Sequence, residues 1–142
     1  MAFTSTASCS ASRSVIYTGL HTLENGQYGL NNNRYFTSLD QVETAPKIFS
    51  DLGYQTGIIG KVYVVPDAVY PWQIREESTT RNIAWVADHS KAFFRKAKEA
   101  DKPIFLTVGY IDPHRDLTRS GFGSTEDLTD PRIKPSSYPP PW

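Results

Sequence analysis

Two short apolar runs, each bounded by turn-forming residues, predict buried β-strands at residues 54–61 and 103–110. Between them, residues 79–100 place apolar side chains at helical spacing with charged side chains in the gaps, which predicts an amphipathic helix. The positions expected to face inward are Ile83, Val86, Ala87, Phe93 or Phe94, and Ala97. Helices that alternate with short apolar strands in this way are typical of an α/β fold.

Two shorter helices are predicted from the residues at their ends. Residues 14–18 are expected to form a helix that Gly19 ends, which places Cys9 at or just before the helix N-terminus. Within residues 44–53 the other is expected, because Pro46 falls in its first turn and Gly53 lies just past its end. The remaining segments are expected to be loops or extended connections: 21–38, 64–78 and 117–142.

The composition excludes several classes of protein but does not identify the function. The chain has 142 residues, enough for one domain at most, and 39% of them are hydrophobic, so a folded core is expected. Fifteen Lys and Arg residues balance fifteen Asp and Glu residues, which argues against nucleic acid or an anionic membrane as the main partner. No apolar run approaches the ~20 residues that a membrane-spanning helix needs.

Cys9 is the only cysteine, and it lies in the run Cys-Ser-Ala-Ser-Arg, with Thr-Gly five residues later. A lone cysteine cannot form an internal disulfide, which leaves a packing residue, a nucleophile or a modification site open. Arg13 would project near Cys9 if this turn is helical. Lys61 and His114 follow the two predicted strands, at the end where α/β proteins gather functional groups. We therefore expect these four side chains to face one cleft.

The run around Cys9 resembles the signature of the formylglycine-dependent sulfatases, Cys-x-(Pro or Ala)-Ser-Arg closed by Thr-Gly. Two later segments resemble the same family in order and approximate spacing: Gly-Ile-Ile-Gly-Lys at 57–61 and Asp-Pro-His-Arg at 112–115. The resemblance covers about residues 2–116 and is nearest to the heparan N-sulfatase branch. It implies part of an alkaline-phosphatase-like α/β/α sandwich, so that residues 1–142 are expected to form a partial catalytic domain, truncated at both ends.

The resemblance implies hydrolysis of a sulfate ester or sulfamate, on a sulfated carbohydrate, with an aldehyde-derived nucleophile. Cys9 would be the precursor of formylglycine (3-oxoalanine), made by the formylglycine-generating enzyme, and as formylglycine it would also bind calcium, the family's usual metal. Arg13 would orient the formylglycine hydrate, and Lys61 would bridge that hydrate and the sulfate. His114 would contact the sulfate and protonate the leaving group. Arg115 is open between a substrate contact and a surface ion pair.

Three features depart from the family pattern. Ala11 replaces a proline that helps the modifying enzyme recognise the site. Tyr63 stands where relatives usually carry a histidine, and tyrosine, with a reference pKa of about 10, is a poor base near pH 7. The family's other metal ligands are expected to be absent from this chain, and Asp112 is expected to order its loop rather than bind metal. We therefore expect the isolated chain to be inactive.

Two other functions remain open at this stage. One is a phosphonate or phosphate monoester hydrolase of the same superfamily, some members of which use the unmodified cysteine. The other is a non-catalytic gene fragment or degenerate paralogue, which Tyr63 and the expected truncation favour. The residues do not fix a localisation; the resemblance implies secretion, or delivery to a lysosome or vacuole, for a full-length relative with a signal peptide.

Overall fold

Helices and a parallel sheet alternate through residues 4–31 and 36–112, the parts of the chain that the computed structural model describes. In chain order the elements are α1 (Cys9–Thr18), α2 (Thr22–Asn25), α3 (Ala45–Asp51), β1 (Gln55–Gly60), β2 (Ile74–Glu77), α4 (Ile83–Glu99) and β3 (Ile104–Gly109). This confirms the predicted α/β class. His114, Arg115 and the loop predicted for 117–142 lie outside the described residues. Within those residues, no helix has both the length and the apolar character to cross a membrane.

The three strands form one parallel sheet in the order β2-β1-β3. All six residues of the central strand β1 are buried, as is usual for a parallel strand covered on both faces. Gly60, the last residue of β1, is the register partner of Gly109, the last residue of β3. The two strands therefore end together, and the residues that follow them emerge at the same edge of the sheet.

Adjacent residues of β1 point to opposite faces of the sheet, and each face has its own core. Ile58 packs with Tyr17 of α1, Tyr70 and Trp72 in the larger cluster. Ile59 packs on the other face with residues of α4, Phe93 among them. Helices therefore cover both faces, as an α/β/α arrangement requires.

The helix ends agree with the predictions from terminal residues. Gly19 ends α1 in the left-handed conformation, with φ of 69°. Pro46 lies in the first turn of α3. α1 is longer than predicted and begins at Cys9 itself. The strand β2 was not predicted, because its Ile-Arg-Glu-Glu sequence is half-buried or exposed and carries no apolar run. The short helix α2 also lies in a segment that was predicted to be loop.

Burial corrects two predictions. β3 was expected to be buried, yet Ile104 is 43% exposed and Val108 36%, because only one of its edges pairs with a strand within the described residues.

In α4, Ile83 and Ala87 were expected to face inward but are exposed. The inward side is set instead by Phe93, whose ring packs against Gly57 of β1, a position with no side chain to exclude it. The buried residues of α4 are Ala84, Val86, Phe93 and Ala97.

Candidate active site

Cys9 and Lys61 meet at the edge where β1 ends, although 52 positions separate them in the chain. Cys9 is the first residue of α1, and Lys61 directly follows β1. The ammonium Nζ of Lys61 donates to Sγ of Cys9 at 3.4 Å, and the lysine is only 7% exposed. The structure thus places a largely buried cation against a partly accessible thiol.

Two glycines let the chain close around this point. The amide of Lys61 donates to the carbonyl of Gly109 at 2.7 Å. A Cβ on Gly60, which has φ of 87°, would lie only 2.2 Å from that carbonyl oxygen. A Cβ on Gly109 would lie 2.3 Å from the carbonyl oxygen of Lys61 and 3.1 Å from Nη2 of Arg13. The absence of a side chain on Gly109 therefore leaves room for both the guanidinium of Arg13 and the backbone of Lys61.

A cavity of about 830 Å³ opens beside these residues. Its polar lining includes Cys9, Arg13 and Lys61, and much of the remaining wall is apolar or aromatic, with Phe49, Phe105 and Tyr110 among the contributors. Neither Arg13 nor Lys61 forms an ion pair with another of the described residues. Two cations without carboxylate partners in a concave, mostly apolar site favour the binding of an anion.

Asp112 also lines the cavity, but its carboxylate is already engaged. It accepts a hydrogen bond from Nη1 of Arg81, and the two side chains form an ion pair in which the arginine is only 9% exposed. The ion pair ties Asp112 to the segment that precedes α4, and its role in ordering the loop stays a prediction. Among residues 4–31 and 36–112, no three His, Cys, Asp or Glu side chains come close enough together to hold a metal ion.

Tyr63 makes a contact with the site that the sequence did not reveal. Nζ of Lys61 lies 4.5 Å from the centroid of the Tyr63 ring, within the range of a cation–π interaction. The backbone of Tyr63 has φ of 55°, in the left-handed region that tyrosine rarely adopts. The sequence showed only that tyrosine replaces the family's usual histidine, and it gave no signal for this backbone conformation.

Buried polar contacts fix the orientation of α1 and thereby the direction of Cys9. Asn25 is fully buried, and its amide nitrogen lies within hydrogen-bond distance of Oγ of Ser14 at 3.1 Å and Oγ1 of Thr18 at 3.2 Å. The side-chain oxygen Oδ1 of Asn25 accepts a hydrogen bond from the backbone N–H of Gln27 at 2.8 Å. The sequence placed Asn25 only within the expected loop segment 21–38, since an Asn-Gly pair such as Asn25-Gly26 is common in turns.

Comparison with curated proteins finds sequence similarity over most of the chain. The chain is 40% identical over 120 residues to N-sulphoglucosamine sulphohydrolase of Homo sapiens, which covers 80% of this chain and 24% of that protein. It is 38% identical over 118 residues to ulvan-active sulfatase of Formosa agariphila, which covers 80% of this chain and 22% of that protein. The chain spans less than a quarter of the length of these relatives. No family model matches it.

Proposed function

Because the chain belongs to the sulfatase family, a family of hydrolases, we propose that it supplies the nucleophile side of a site that hydrolyses sulfate esters or sulfamates. One observation carries the proposal: the largely buried ammonium of Lys61, with no ion-pair partner among the described residues, lies 3.4 Å from Sγ of Cys9. A sulfuryl group is negatively charged, so a cation fixed beside the attacking atom stabilises the charge that develops on it.

Cys9 is the proposed precursor of formylglycine (3-oxoalanine), and the formylglycine-generating enzyme is the proposed partner that makes it. The modified residue would supply a hydroxyl nucleophile on the carbon that carries sulfur in cysteine. The surroundings fit this group, because Lys61 donates at Sγ and the N-terminal end of α1 favours negative charge. Arg13, one turn further along α1, supports the same charge from the cavity wall.

Calcium does not fit the described residues by themselves. A calcium ion takes about six to eight oxygen ligands, whereas the described residues of the cavity wall offer a thiol, two cationic side chains, a few hydroxyls and a single carboxylate. Asp112, the one carboxylate that the described residues contribute to the cavity wall, is paired with Arg81. The proposed function therefore includes no step through calcium. A metal contact from Cys9 as formylglycine, roles for His114 and Arg115, and a partial catalytic domain over 1–142 stay predictions.

A sulfated carbohydrate is the proposed substrate class. One similar protein is named for N-sulphoglucosamine, an amino sugar, and the aromatic walls of the cavity suit the apolar face of a sugar ring. These walls include Phe49, Phe105 and Tyr110. Tyr70 and Trp72 are 1% and 8% exposed and belong to the core rather than to these walls.

Binding of inorganic sulfate to the full 142-residue chain tests the proposal without requiring turnover. We expect calorimetric or NMR titration to detect sulfate binding that Lys61→Met and Arg13→Ala each weaken by about tenfold, in line with the loss of a charge-assisted contact. Lys47→Met, at an exposed lysine outside the cavity, is the matched control. Equal sulfate affinity in Lys61→Met and Lys47→Met would overturn the proposal.

The same titration separates the alternatives raised by the sequence. A phosphate or phosphonate monoester hydrolase would bind inorganic phosphate more tightly than sulfate, with the same dependence on Lys61. A non-catalytic relative would bind neither anion at this site. Inactivity of the isolated chain toward sulfate esters is a separate prediction, which a hydrolysis assay with 4-nitrophenyl sulfate checks on protein whose Cys9 has been converted.

A further inference from the structure

The partner of the Lys61 ammonium is an aromatic ring rather than a carboxylate. Nζ lies 3.4 Å from Sγ of Cys9 and 4.5 Å from the ring centroid of Tyr63. Within residues 4–31 and 36–112, no carboxylate oxygen comes within 4 Å of it. Because the lysine is 7% exposed, water does little to screen its attraction to the ring face.

An aromatic face holds a cation in a way that a carboxylate cannot. A carboxylate would neutralise the ammonium and accept its N–H groups, which would leave little of either for an anion. A ring attracts the charge through its quadrupole and accepts no conventional hydrogen bond, so the N–H donors of Lys61 stay available for Sγ of Cys9 and for an anion. The ring of Tyr63 can therefore fix the position of Nζ while leaving its charge to act on Sγ and on a bound anion.

The backbone around Tyr63 maintains this contact. Tyr63 has φ of 55°, and its neighbours Val62 and Val64 are both fully buried in the core beneath the sheet edge. A bulky residue keeps a left-handed conformation only where its surroundings determine it. The packed valines on either side provide that constraint, so the ring is held against Lys61 by the fold.

We propose that Tyr63 is a positioning residue whose ring face holds the Lys61 ammonium against the reactive atom of residue 9. The part of this proposal that concerns a bound sulfate rests on the proposed function; the part that concerns Cys9 does not. Tyrosine is a poor proton acceptor near pH 7. The position therefore serves here to place a charge, and not to transfer a proton as a histidine could.

The alkylation rate of Cys9 by iodoacetamide measures this placement on the full chain with an unmodified thiol. Cys9 is the only cysteine, so the signal has one source. Alkylation proceeds through the thiolate, which a neighbouring ammonium stabilises. Lys61→Met is therefore expected to slow the reaction and sets the lower reference rate.

Three substitutions at position 63 separate the ring from the hydroxyl, the bulk and the backbone. Tyr63→Phe keeps the ring and should react within about twofold of the unsubstituted chain. Tyr63→Leu keeps bulk without a π-face, and Tyr63→Asn tolerates the left-handed backbone without a ring; both should react about threefold or more slowly, toward the Lys61→Met rate. The far-UV circular dichroism spectrum of each variant is measured alongside, because an unfolded variant would also separate Cys9 from the ammonium of Lys61.

Two outcomes would overturn the inference. If Tyr63→Leu reacts as fast as the unsubstituted chain, the ring does not place the ammonium. If Tyr63→Phe is as slow as Tyr63→Leu, the hydroxyl and not the ring face is responsible. Rescue by phenylalanine together with loss in leucine and asparagine is the expected pattern.

Inorganic sulfate, compared with sodium chloride at equal ionic strength, separates this inference from the proposed function. If sulfate slows alkylation in the unsubstituted chain and Tyr63→Leu abolishes that protection, both are supported. If sulfate gives no protection but Tyr63→Leu still slows alkylation, the positioning role stands and the sulfuryl site fails. If sulfate protects the unsubstituted chain and Tyr63→Leu equally, the positioning role fails and the sulfuryl site is supported.

Discussion

Gly60 and Gly109 face each other at the ends of paired parallel strands, with no room for a side chain between them. A Cβ on Gly60 would lie 2.2 Å from the carbonyl oxygen of Gly109, the atom that accepts from the amide of Lys61. Backbone atoms cannot move aside as a flexible side chain can. The position of Lys61, and through it the contact with Cys9, therefore depends on two residues that have no side-chain chemistry of their own.

Gly60→Ala tests this close approach against a control with the same backbone. Gly53 also has φ of 87°, but a Cβ there would meet nothing within 4 Å. Gly53→Ala should therefore lose only the cost of left-handed alanine, about 1–2 kcal/mol. Gly60→Ala carries that cost plus overlap with Gly109, which should add about 1–3 kcal/mol. Urea denaturation measures both, and equal losses in the two variants would contradict the structure at this edge.

The buried amide of Asn25 gives a second prediction. Asn25→Ala removes the donor to Ser14 and Thr18 and the acceptor for the amide of Gln27. The free energy of unfolding should fall by about 2–3 kcal/mol, because buried polar groups lose their partners. Leu23→Ala, two positions earlier in α2 and 78% exposed, should change it by less than about 0.5 kcal/mol. A loss at position 25 no larger than that at position 23 would show that the amide network does not hold α1.

Local rules predicted what depends on neighbouring residues, and failed where distant packing decides. Gly19 and Pro46 mark helix ends through their own backbone preferences, so the sequence places them correctly. Which face of α4 is buried depends instead on the contact between the Phe93 ring and Gly57 of the sheet. Ile83 was therefore assigned to the wrong face of the helix. Apolar residues occupy more of the helix surface than one side, so periodicity alone cannot select the side that packs.

The candidate site follows the same division. The motifs placed Cys9, Arg13 and Lys61 near one another because each lies at the end of a predicted element, where α/β folds converge. The contact of Lys61 with Tyr63 depends on a left-handed tyrosine, and no sequence rule predicts that conformation for a bulky residue. A side chain that differs from the family pattern is thus visible in the sequence, but its role becomes apparent only from the geometry.

Tyr70 gives stability a dependence on alkaline pH. Burial raises its pKa above the ordinary value of 10.0, against a hydrogen bond with Ser38 that lowers it. The folded state therefore binds the phenolic proton more tightly than the unfolded state does. This contribution is fully present below about pH 10 and is lost as the pH rises toward the pKa of the folded protein.

Urea denaturation between pH 8 and 11 measures this effect. Tyr70→Phe has no proton to lose, so its free energy of unfolding should fall less steeply with pH than that of the unsubstituted chain. Tyr28→Phe, at a tyrosine that is 55% exposed, should keep the original slope. If the free energy of unfolding falls equally steeply with pH in Tyr70→Phe and in the unsubstituted chain, the loss of stability at alkaline pH does not come from Tyr70.

The ion pair between Arg81 and Asp112 should contribute more to stability than the ion pair between Lys47 and Asp51. Arg81 is 9% exposed, so Asp112→Asn removes one negative charge from beside a largely buried guanidinium, at a cost of about 1–3 kcal/mol. In the other pair both side chains are at least half exposed, so Asp51→Asn should cost less than about 1 kcal/mol. Denaturation at low and high salt distinguishes the two ion pairs. Because salt screens the exposed pair more strongly, the loss in Asp51→Asn should shrink more at high salt than the loss in Asp112→Asn. If Asp112→Asn proves as neutral as Asp51→Asn, the ion pair with Arg81 does not hold this segment in place.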